Sequence, residues 1–307
     1  MNGTKTELSA LSRDIAELVE RTVSGVVAVK AAAYRSASGV SIREDLIAVA
    51  DPTLRREGDI RVHASDGAPG TGTLLGRDPS IQVAFLKVAG LQLKPLPPRD
   101  PSQLRAGMLA AVVGLTTDAG PSASLGILGA VSGPRRTWRG GTLDHFIRLD
   151  VNSYPSQAGA AVVDSEGSLI GMAVPGLLRF SPVAVPVQTL NRVADELLQQ
   201  GRIRRGYLGV GLQPVAVPAA LREKIGSGQE SGLIILSVEL DSPAETAGIQ
   251  LGDILIALGE KPLADVDDLQ QALRGENVGR HLKLVLMRGG ERMETAITIS
   301  ERTRRAG

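Results

Sequence analysis

At 307 residues the chain is longer than one hydrophobic core usually organises, so its length predicts at least two domains. A formal net charge of +1 provides no overall electrostatic field for nucleic acid, and we expect no nucleic-acid partner. The sequence has no cysteine, which excludes disulfides, thiol nucleophiles and thiolate metal sites.

The first element predicted along the chain is an amphipathic helix near its start. Five apolar residues recur there at helical spacing: Leu8, Leu11, Ile15, Leu18 and Val19. The segment lacks the basic start and apolar run of a secretory signal, and no window reaches the length of a membrane span without charges. We therefore predict no transmembrane segment and a cytoplasmic location for the chain as written.

The part from residue 26 to about 186 has the pattern of short strands. Apolar runs such as VAFLKVAG (83–90) and MLAAVVGL (108–115) alternate with clusters of glycine, proline, aspartate and serine. This spacing is typical of an all-β barrel or sandwich. The 36 glycines and the aromatic content of 2% agree with many tight turns, so the predicted fold is mainly β.

A second domain is predicted after a helix at VQTLNRVADELLQQ (187–200), which Gly201 closes. Beyond a basic linker, runs such as SGLIILSVEL (231–240) and LKLVLMR (282–288) indicate strands that mix with short helices. We predict a first domain at 1–204, an α+β domain at 205–302 and a basic tail at 303–307.

The stretch NSYPSQAGAAVV (152–163) is unusually rich in small residues between two predicted strands. Tight backbone of this kind typically serves a ligand, an anion or a nucleophile, because glycine and alanine allow close approach to a reacting group. The side chain that would carry out the chemistry is missing from the turn.

Several spaced motifs resemble the HtrA (Deg) family of serine proteases. In the first domain these are IRVHASDGAPGTGTLLGRDPSIQVAFLKVAG (60–90) and FIRLDVNSYPSQAGAAVVDSEGSLIGMAV (146–174). In the second they are RGYLGVGLQPV (205–215), SPAETAGIQLGDILIALGEKPL (242–263) and VDDLQQAL (266–273). The resemblance covers nearly the whole chain and implies a trypsin-like double β-barrel followed by an α+β PDZ domain.

The catalytic triad of the family can be transferred one position at a time. The family's NPGNSGG turn falls on 154–160, which puts Ala158 at the nucleophilic serine. The family histidine falls on Asp51, or on Ala50 with a one-residue shift, and the family aspartate falls on Gln82. Serine hydrolysis needs a base within hydrogen-bond reach of the nucleophile. The resemblance therefore implies a degenerate triad without an intact catalytic residue.

The turn that would stabilise an oxyanion also departs from the family. Its donors would be the backbone N–H groups of Ser156 and Ala158, on either side of Gln157. Ser156 replaces a family glycine, which narrows the backbone conformations available for aiming its N–H. Ser153 and Ser156 are alternatives as displaced nucleophiles, but the family frame puts no histidine beside them.

The sequence predicts neither a metal site nor a cofactor. His63, His145 and His281 are spread over both domains without metal-ligand spacing. Asp45 and Asp51 are an alternative cation or acid pair, although isolated pairs of this kind more often cap turns.

In the second domain the resemblance implies a peptide-binding groove. A loop with N–H groups that bind a terminal carboxylate would be formed by Tyr207, Leu208, Gly209 and Val210. A groove wall would be supplied by Val266, Leu269 and Ala272, which share one helix face. Alternatively, Leu208 and Val210 are ordinary core residues, since strands bury alternate side chains.

Two hypotheses of function follow from the resemblance. The first is a catalytically inactive pseudo-protease that binds peptides or unfolded protein C-termini through its PDZ domain, as a scaffold, chaperone-like holder or regulatory subunit. The alternative is an active HtrA-like serine-type endopeptidase with a non-standard site. The resemblance also implies a homo-trimer, or a mixed oligomer with active homologues, and a location in the cell envelope or periplasm as the alternative to the cytoplasm.

Overall fold

The computed structural model describes residues 2–32, 35–54, 60–137, 140–152, 154–178, 181–201, 206–225, 229–273 and 277–301. The chain divides into two compact units, Met1–Ile203 and Arg204–Gly307. The domain limits at residues 204 and 302 stay predictions, and the basic linker at 202–205 and the tail at 303–307 lie outside the described residues.

The first unit begins with helix α1 (Asn2–Val23), as the apolar spacing predicts. Only its last turns pack against the body of the unit: Leu18 is 6% exposed, whereas Leu8 and Leu11 are 64% and 52% exposed. Within the described part of the chain, no helix combines the length and apolar character needed to cross a bilayer.

The first six strands close into an antiparallel barrel. They are β1 (Val26–Ala32), β2 (Arg35–Arg43), β3 (Leu46–Ala50), β4 (Ile60–His63), β5 (Pro69–Asp78) and β6 (Val83–Ala89). Their order around the barrel is β1-β2-β3-β6-β5-β4. Closure pairs every strand on both sides, which leaves no free sheet edge.

A second closed barrel follows, in the order β11-β14-β13-β12-β7-β8. Its strands are β7 (Leu109–Thr116), β8 (Gly120–Ser132), β11 (Phe146–Asp150), β12 (Ala161–Val163), β13 (Leu169–Leu178) and β14 (Ser181–Pro186), with the small hairpin β9 (Arg135–Arg136) and β10 (Thr142–Leu143) between β8 and β11. Helix α2 (Val187–Gln200) then ends at Gly201, which adopts φ 70° as a C-terminal cap.

One apolar cluster joins the two barrels. Val26 and Val83 of the first barrel belong to the same buried cluster as Val113 and Val185 of the second. Because this cluster joins the barrels along one seam, the loops and strand ends beside that seam are held in fixed positions.

The second unit is an α+β domain built on one antiparallel sheet in the order β16-β17-β18-β20-β21. Its strands are β15 (Gly206–Tyr207), β16 (Val210–Ala216), β17 (Ser231–Val238), β18 (Ile254–Leu258), β19 (Lys261–Pro262), β20 (His281–Arg288), β21 (Glu291–Thr298) and β22 (Ser300–Glu301). Its helices are α3 (Ala219–Ile225), α4 (Pro243–Thr246) and α5 (Val266–Ala272). The predicted fold class, mainly β with a double barrel followed by an α+β unit, is confirmed.

Candidate functional site

The three predicted triad positions meet between the two barrels. Asp51 begins a 3-10 turn at the end of β3, and its N–H donates to the carbonyl of Gln82 at 2.9 Å. Ala158 approaches from the second barrel, where its carbonyl accepts from the N–H of Ser38 at 3.2 Å. A Cβ on the next residue, Gly159, would lie 3.2 Å from the backbone nitrogen of Ala50. The structure thus brings residues 50–51, 82 and 158 together where the two barrels meet, and this meeting point is the candidate cleft.

Asp51 is held by an arginine that the sequence reasoning missed. Nη1 of Arg77 lies 2.5 Å from Oδ1 of Asp51 and also donates to the carbonyl of Leu54 at 3.2 Å. The two charged side chains are only 16% and 18% exposed, for arginine and aspartate respectively. Arg77 belongs to the GRDP stretch, which indicated the family resemblance but gave no signal of a partner 26 residues earlier.

The alternative pairing of Asp45 with Asp51 does not form. Asp45 lies 3.7 Å from Lys87 in an exposed ion pair, whereas Asp51 pairs with Arg77. Across the described segments, no group of three or more histidine, aspartate or glutamate residues could hold a metal ion.

Gln82 lies at the contact between the barrels. It is one of two non-glycine residues with positive φ among those described, at 56°. Such a conformation is uncommon for a residue with a Cβ. Its amide Nε2 faces the carbonyl of Gly176 in β13 at 3.5 Å, a long hydrogen bond across the cleft. Gln82, which the sequence predicts at the position of the family aspartate, therefore contacts both barrels.

The predicted oxyanion turn is closed by its own hydrogen bonds. Pro155–Gln157 forms a 3-10 turn in which the N–H of Ala158 donates to the carbonyl of Pro155 at 3.3 Å. The carbonyl of Ser156 accepts from Oγ of Ser38 at 3.3 Å. One of the two predicted oxyanion donors, the Ala158 N–H, is thus used inside the turn.

The side chain of Gln157 stabilises this turn through hydrogen bonds. It is 1% exposed, its Oε1 accepts from the N–H of Tyr154 at 3.2 Å, and its Nε2 donates to Oγ of Ser124 at 3.0 Å. The sequence assigned Gln157 to the turn but could not assign its partner on β8, because Ser124 lies 33 positions earlier.

The three histidines lie on other elements. His63 ends β4, and His145 follows Asp144, whose carboxylate accepts from Oγ1 of Thr189 on α2 at 2.7 Å. His281 belongs to the second unit. Ser153, an alternative nucleophile, lies outside the described residues. At positions 51, 82 and 158 the cleft therefore presents a paired carboxylate, an amide and a methyl group.

In the second unit, the predicted groove residues surround the free edge of the sheet. Strand β16 is the first strand in the sheet order, so one of its edges is unpaired within the sheet. Leu208, Leu269 and Ala272 are buried in one apolar cluster, against which Val210 and Val266 are partly buried. The alternative assignment of Leu208 to the core therefore holds for its side chain, while Val210 is half-exposed beside α5.

Hydrogen bonds to two carbonyl groups of the predicted carboxylate loop fix the direction of its N–H groups. The carbonyl of Leu208 accepts from the N–H of Ala244 at 2.9 Å, and the carbonyl of Gly209 accepts from the N–H of Glu239 at 2.8 Å. In a trans peptide the C=O and the following N–H point in opposite directions. The N–H groups of Gly209 and Val210 therefore point away from α4 and β17.

Only glycine fits at the centre of this loop. Gly209 has φ 79°, and a Cβ there would lie 2.2 Å from Cβ of Ser242. The Oη of Tyr207 is also close to this position, at 2.9 Å. Successive N–H groups in such a turn form a concave site for an anion, which a peptide carboxylate would fit.

Comparison with known proteins agrees with the two-domain organisation. Residues 37–172 match the model of the trypsin-like peptidase domain, and residues 206–299 match the model of the PDZ domain. The fold and the two sites therefore define a protein with a trypsin-like domain followed by a PDZ domain.

The relatives place this pair of domains in one family. The "Probable periplasmic serine endoprotease DegP-like" of Brucella suis biovar 1 (strain 1330) is 30% identical over 274 residues, which cover 86% of this chain and 52% of the relative. The protein of the same name from Pseudomonas putida (strain W619) is 29% identical over 78% of this chain and 50% of the relative. The chain belongs to the HtrA family. It spans about half the length of these curated relatives.

Solved structures share the fold. The structure titled "HtrA-type protease AlgW with decapeptide" has a TM-score of 0.77 and 21% identity, and covers 94% of this chain and 99% of its own. The serine endoprotease from Yersinia pestis has a TM-score of 0.75 and 23% identity, and covers 94% and 98%. The relatives' names describe periplasmic proteins, which favours the envelope alternative and does not support the cytoplasmic expectation.

Proposed function

We propose that this chain is a catalytically inactive HtrA-type protein that captures peptides or unfolded protein C-termini through its PDZ domain. The observation that carries the proposal is the content of the cleft: positions 51, 82 and 158 meet there and hold aspartate, glutamine and alanine. The name "serine endoprotease" belongs to the relatives, and this chain lacks the hydroxyl at the position of the nucleophile.

The chemistry of acyl transfer supports this assignment. A serine nucleophile must lose its proton to a base within hydrogen-bond reach, and the developing oxyanion needs donors aimed into the cleft. Here the carboxylate of Asp51 is paired with Arg77, and the Ala158 N–H donates to Pro155. Nucleophile, base and oxyanion donor are thus all unsuited to hydrolysis.

The competing function is an active serine endopeptidase with a non-standard site, which the names of the relatives favour. Ser156 is the described serine within the turn, and its carbonyl accepts from Ser38. A reaction at Ser156 would need a base, and the described histidines lie on other elements.

The peptide-binding part of the proposal is supported by the groove in the second unit. An extended peptide could add to the unpaired edge of β16, with its last side chain against α5 and its carboxylate at the N–H groups of Gly209 and Val210. These interactions use backbone groups and apolar walls and need no catalytic side chain.

One set of experiments on the full chain tests both parts. We expect no cleavage of unfolded casein and no labelling by a serine-directed fluorophosphonate, with an active HtrA protease as the positive control. Stoichiometric labelling of any serine would contradict the proposal of inactivity.

Binding is tested by titrating fluorescent peptides that end in an apolar residue, as free acids and as C-terminal amides. We expect micromolar affinity for the acids, about −8 kcal/mol or weaker. Amides should bind about tenfold to a hundredfold less tightly, because a charge-assisted hydrogen bond contributes about 1.5–3 kcal/mol. Equal affinity for acid and amide would show that the loop is not a carboxylate site.

We further propose a location in the cell envelope, by analogy with the relatives' names. Assembly as a homo-trimer or with active homologues is part of the same proposal. Sedimentation of the full chain, alone and mixed with an active homologue, tests the assembly.

A further inference from the structure

An acidic side chain lies beside the proposed carboxylate loop. Glu239 directly follows β17 and lies opposite Gly209, to whose carbonyl its N–H donates at 2.8 Å. Its Oε2 accepts a hydrogen bond from Oη of Tyr207 at 2.7 Å. The carboxylate is thus tied to the loop through both its backbone and its side chain.

Gly211 leaves one face of β16 without a side chain, and Gly209 directly precedes the strand at positive φ. Gly211 pairs with Ser237, and a Cβ on Gly211 would lie 2.3 Å from Oγ of Ser237. Residues 211, 237 and 239 alternate with Val210 and Val238, which pack against the apolar cluster. Neither Gly209 nor Gly211 therefore places a side chain between Glu239 and the free edge of β16.

A peptide added at this edge would direct its penultimate side chain to this face. Successive side chains of a strand point to opposite faces, so a last residue in the apolar groove places the one before it on the face of Gly211. Two strand spacings, about 10 Å, separate such a peptide from β17. A lysine or arginine reaching from the peptide and the glutamate reaching from β17 can together bridge this separation.

We propose that Glu239 is a specificity-determining residue that selects peptides with lysine or arginine in the penultimate position. The inference rests on the proposed peptide-binding function and names the ligand class for that same groove. A neighbouring acid, Asp241, lies on the adjoining loop, where its N–H donates to Oε2 of Glu245 in α4 at 2.7 Å.

The test uses the full chain and three fluorescent peptides that differ only in a penultimate lysine, glutamine or glutamate. All three end in valine with a free carboxylate. At low salt we expect the lysine peptide to bind about threefold more tightly than the glutamine peptide, and the glutamate peptide about threefold less tightly, as for an exposed ion pair. At 1 M salt these differences should largely disappear, because the Debye length falls to about 3 Å.

The variant Glu239→Gln removes the charge but retains an oxygen that can accept from Oη of Tyr207. We expect this variant to bind the lysine, glutamine and glutamate peptides with equal affinity. The matched control Asp241→Asn removes a neighbouring charge. This variant should still bind the lysine peptide most tightly and the glutamate peptide least tightly.

Three outcomes would overturn the inference: equal affinity of the three peptides for the unmodified chain at low salt, a lysine preference that survives in Glu239→Gln, or an equal loss of preference in Asp241→Asn. The amide form of the glutamine peptide separates this failure from failure of the proposed function. If the amide binds more weakly than the acid, the carboxylate site stands and only the role of Glu239 is wrong. If acid and amide bind equally, the proposed function itself has failed.

Discussion

The cleft of the first unit and the groove of the second depend on different parts of the chain. A serine-protease cleft needs three particular side chains, and positions 51, 82 and 158 hold none of them. The groove needs a free strand edge, two N–H groups with a defined direction and an apolar wall, and the described residues provide all three. Chemistry that resides in single side chains is lost by single substitutions, whereas binding by backbone geometry survives as long as the fold does.

The largest expected effect concerns the cleft. Ala158→Ser alone should leave casein turnover about 10⁴-fold or more below that of an active HtrA protease, because triad members act as a unit. The triple change Asp51→His, Gln82→Asp and Ala158→Ser should give more activity than the single change, measured with fluorogenic casein.

Robust turnover by Ala158→Ser alone would show that position 51 or 82 has been assigned wrongly. It would also remove the contrast between the proposed inactive cleft and the proposed peptide-binding groove.

The second prediction concerns a buried ion pair in the second unit. Asp253 is 1% exposed and pairs with Arg288 at 2.7 Å, and Nη2 of Arg288 also donates to the carbonyl of Gly248 at 2.6 Å. The hydrogen bond to Asp253 and the charge of that carboxylate raise the pKa of Arg288, so the stability contributed by the protonated arginine is fully present at neutral pH and is lost as the pH rises into strong alkali. Asp253→Asn should lower the free energy of unfolding of the second unit by about 3 kcal/mol.

Urea denaturation of the full chain, followed by a probe in the second unit, measures this loss. The matched control is Glu294→Gln, which removes one partner of an exposed pair with Lys283 and should change the midpoint less. An equal shift in both variants would refute a special role for the buried pair.

The third prediction addresses the loop itself. Gly209→Ala introduces a Cβ at positive φ that would lie 2.2 Å from Cβ of Ser242, so we expect a loss of about 2 kcal/mol in peptide binding. Fluorescence polarisation with an acid-terminated peptide measures it. In the control Gly211→Ala, the close atom is Oγ of Ser237, a side-chain end that can rotate away. If Gly209→Ala binds as tightly as Gly211→Ala, the loop geometry does not determine affinity.

The smallest expected effect concerns the ion pair between Arg77 and Asp51, the residue predicted at the position of the family histidine. The side chains of Arg77 and Asp51 are only 16% and 18% exposed, and Asp51→Asn removes the charge that pairs with Arg77. We expect this change to lower the free energy of unfolding of the first unit by about 1–2 kcal/mol. Thermal unfolding measures the change. Asp45→Asn, which breaks the exposed pair with Lys87, is the control and should cost about 0.5 kcal/mol or less. A larger effect at Asp45 would contradict the structural role of the Asp51–Arg77 pair.

Local patterns explain the parts of the fold that the sequence predicted. The apolar spacing of residues 8–19 predicts α1, and alternating runs with turn residues predict the short strands of both barrels. The exposure of Leu8 and Leu11 was not predictable, since helical spacing identifies an apolar face but not how much of it finds a partner.

The sequence by itself determined which chemical groups the candidate site can contain: no cysteine, no hydroxyl at 158, and a small-residue turn around it. Only the tertiary structure decided how the remaining groups pair. Arg77 meets Asp51 across 26 residues, Gln157 meets Ser124 across 33, and Glu239 meets Tyr207 across 32. Such pairs depend on the register between strands distant in sequence, because a shift of one residue turns every side chain of a strand to its opposite face.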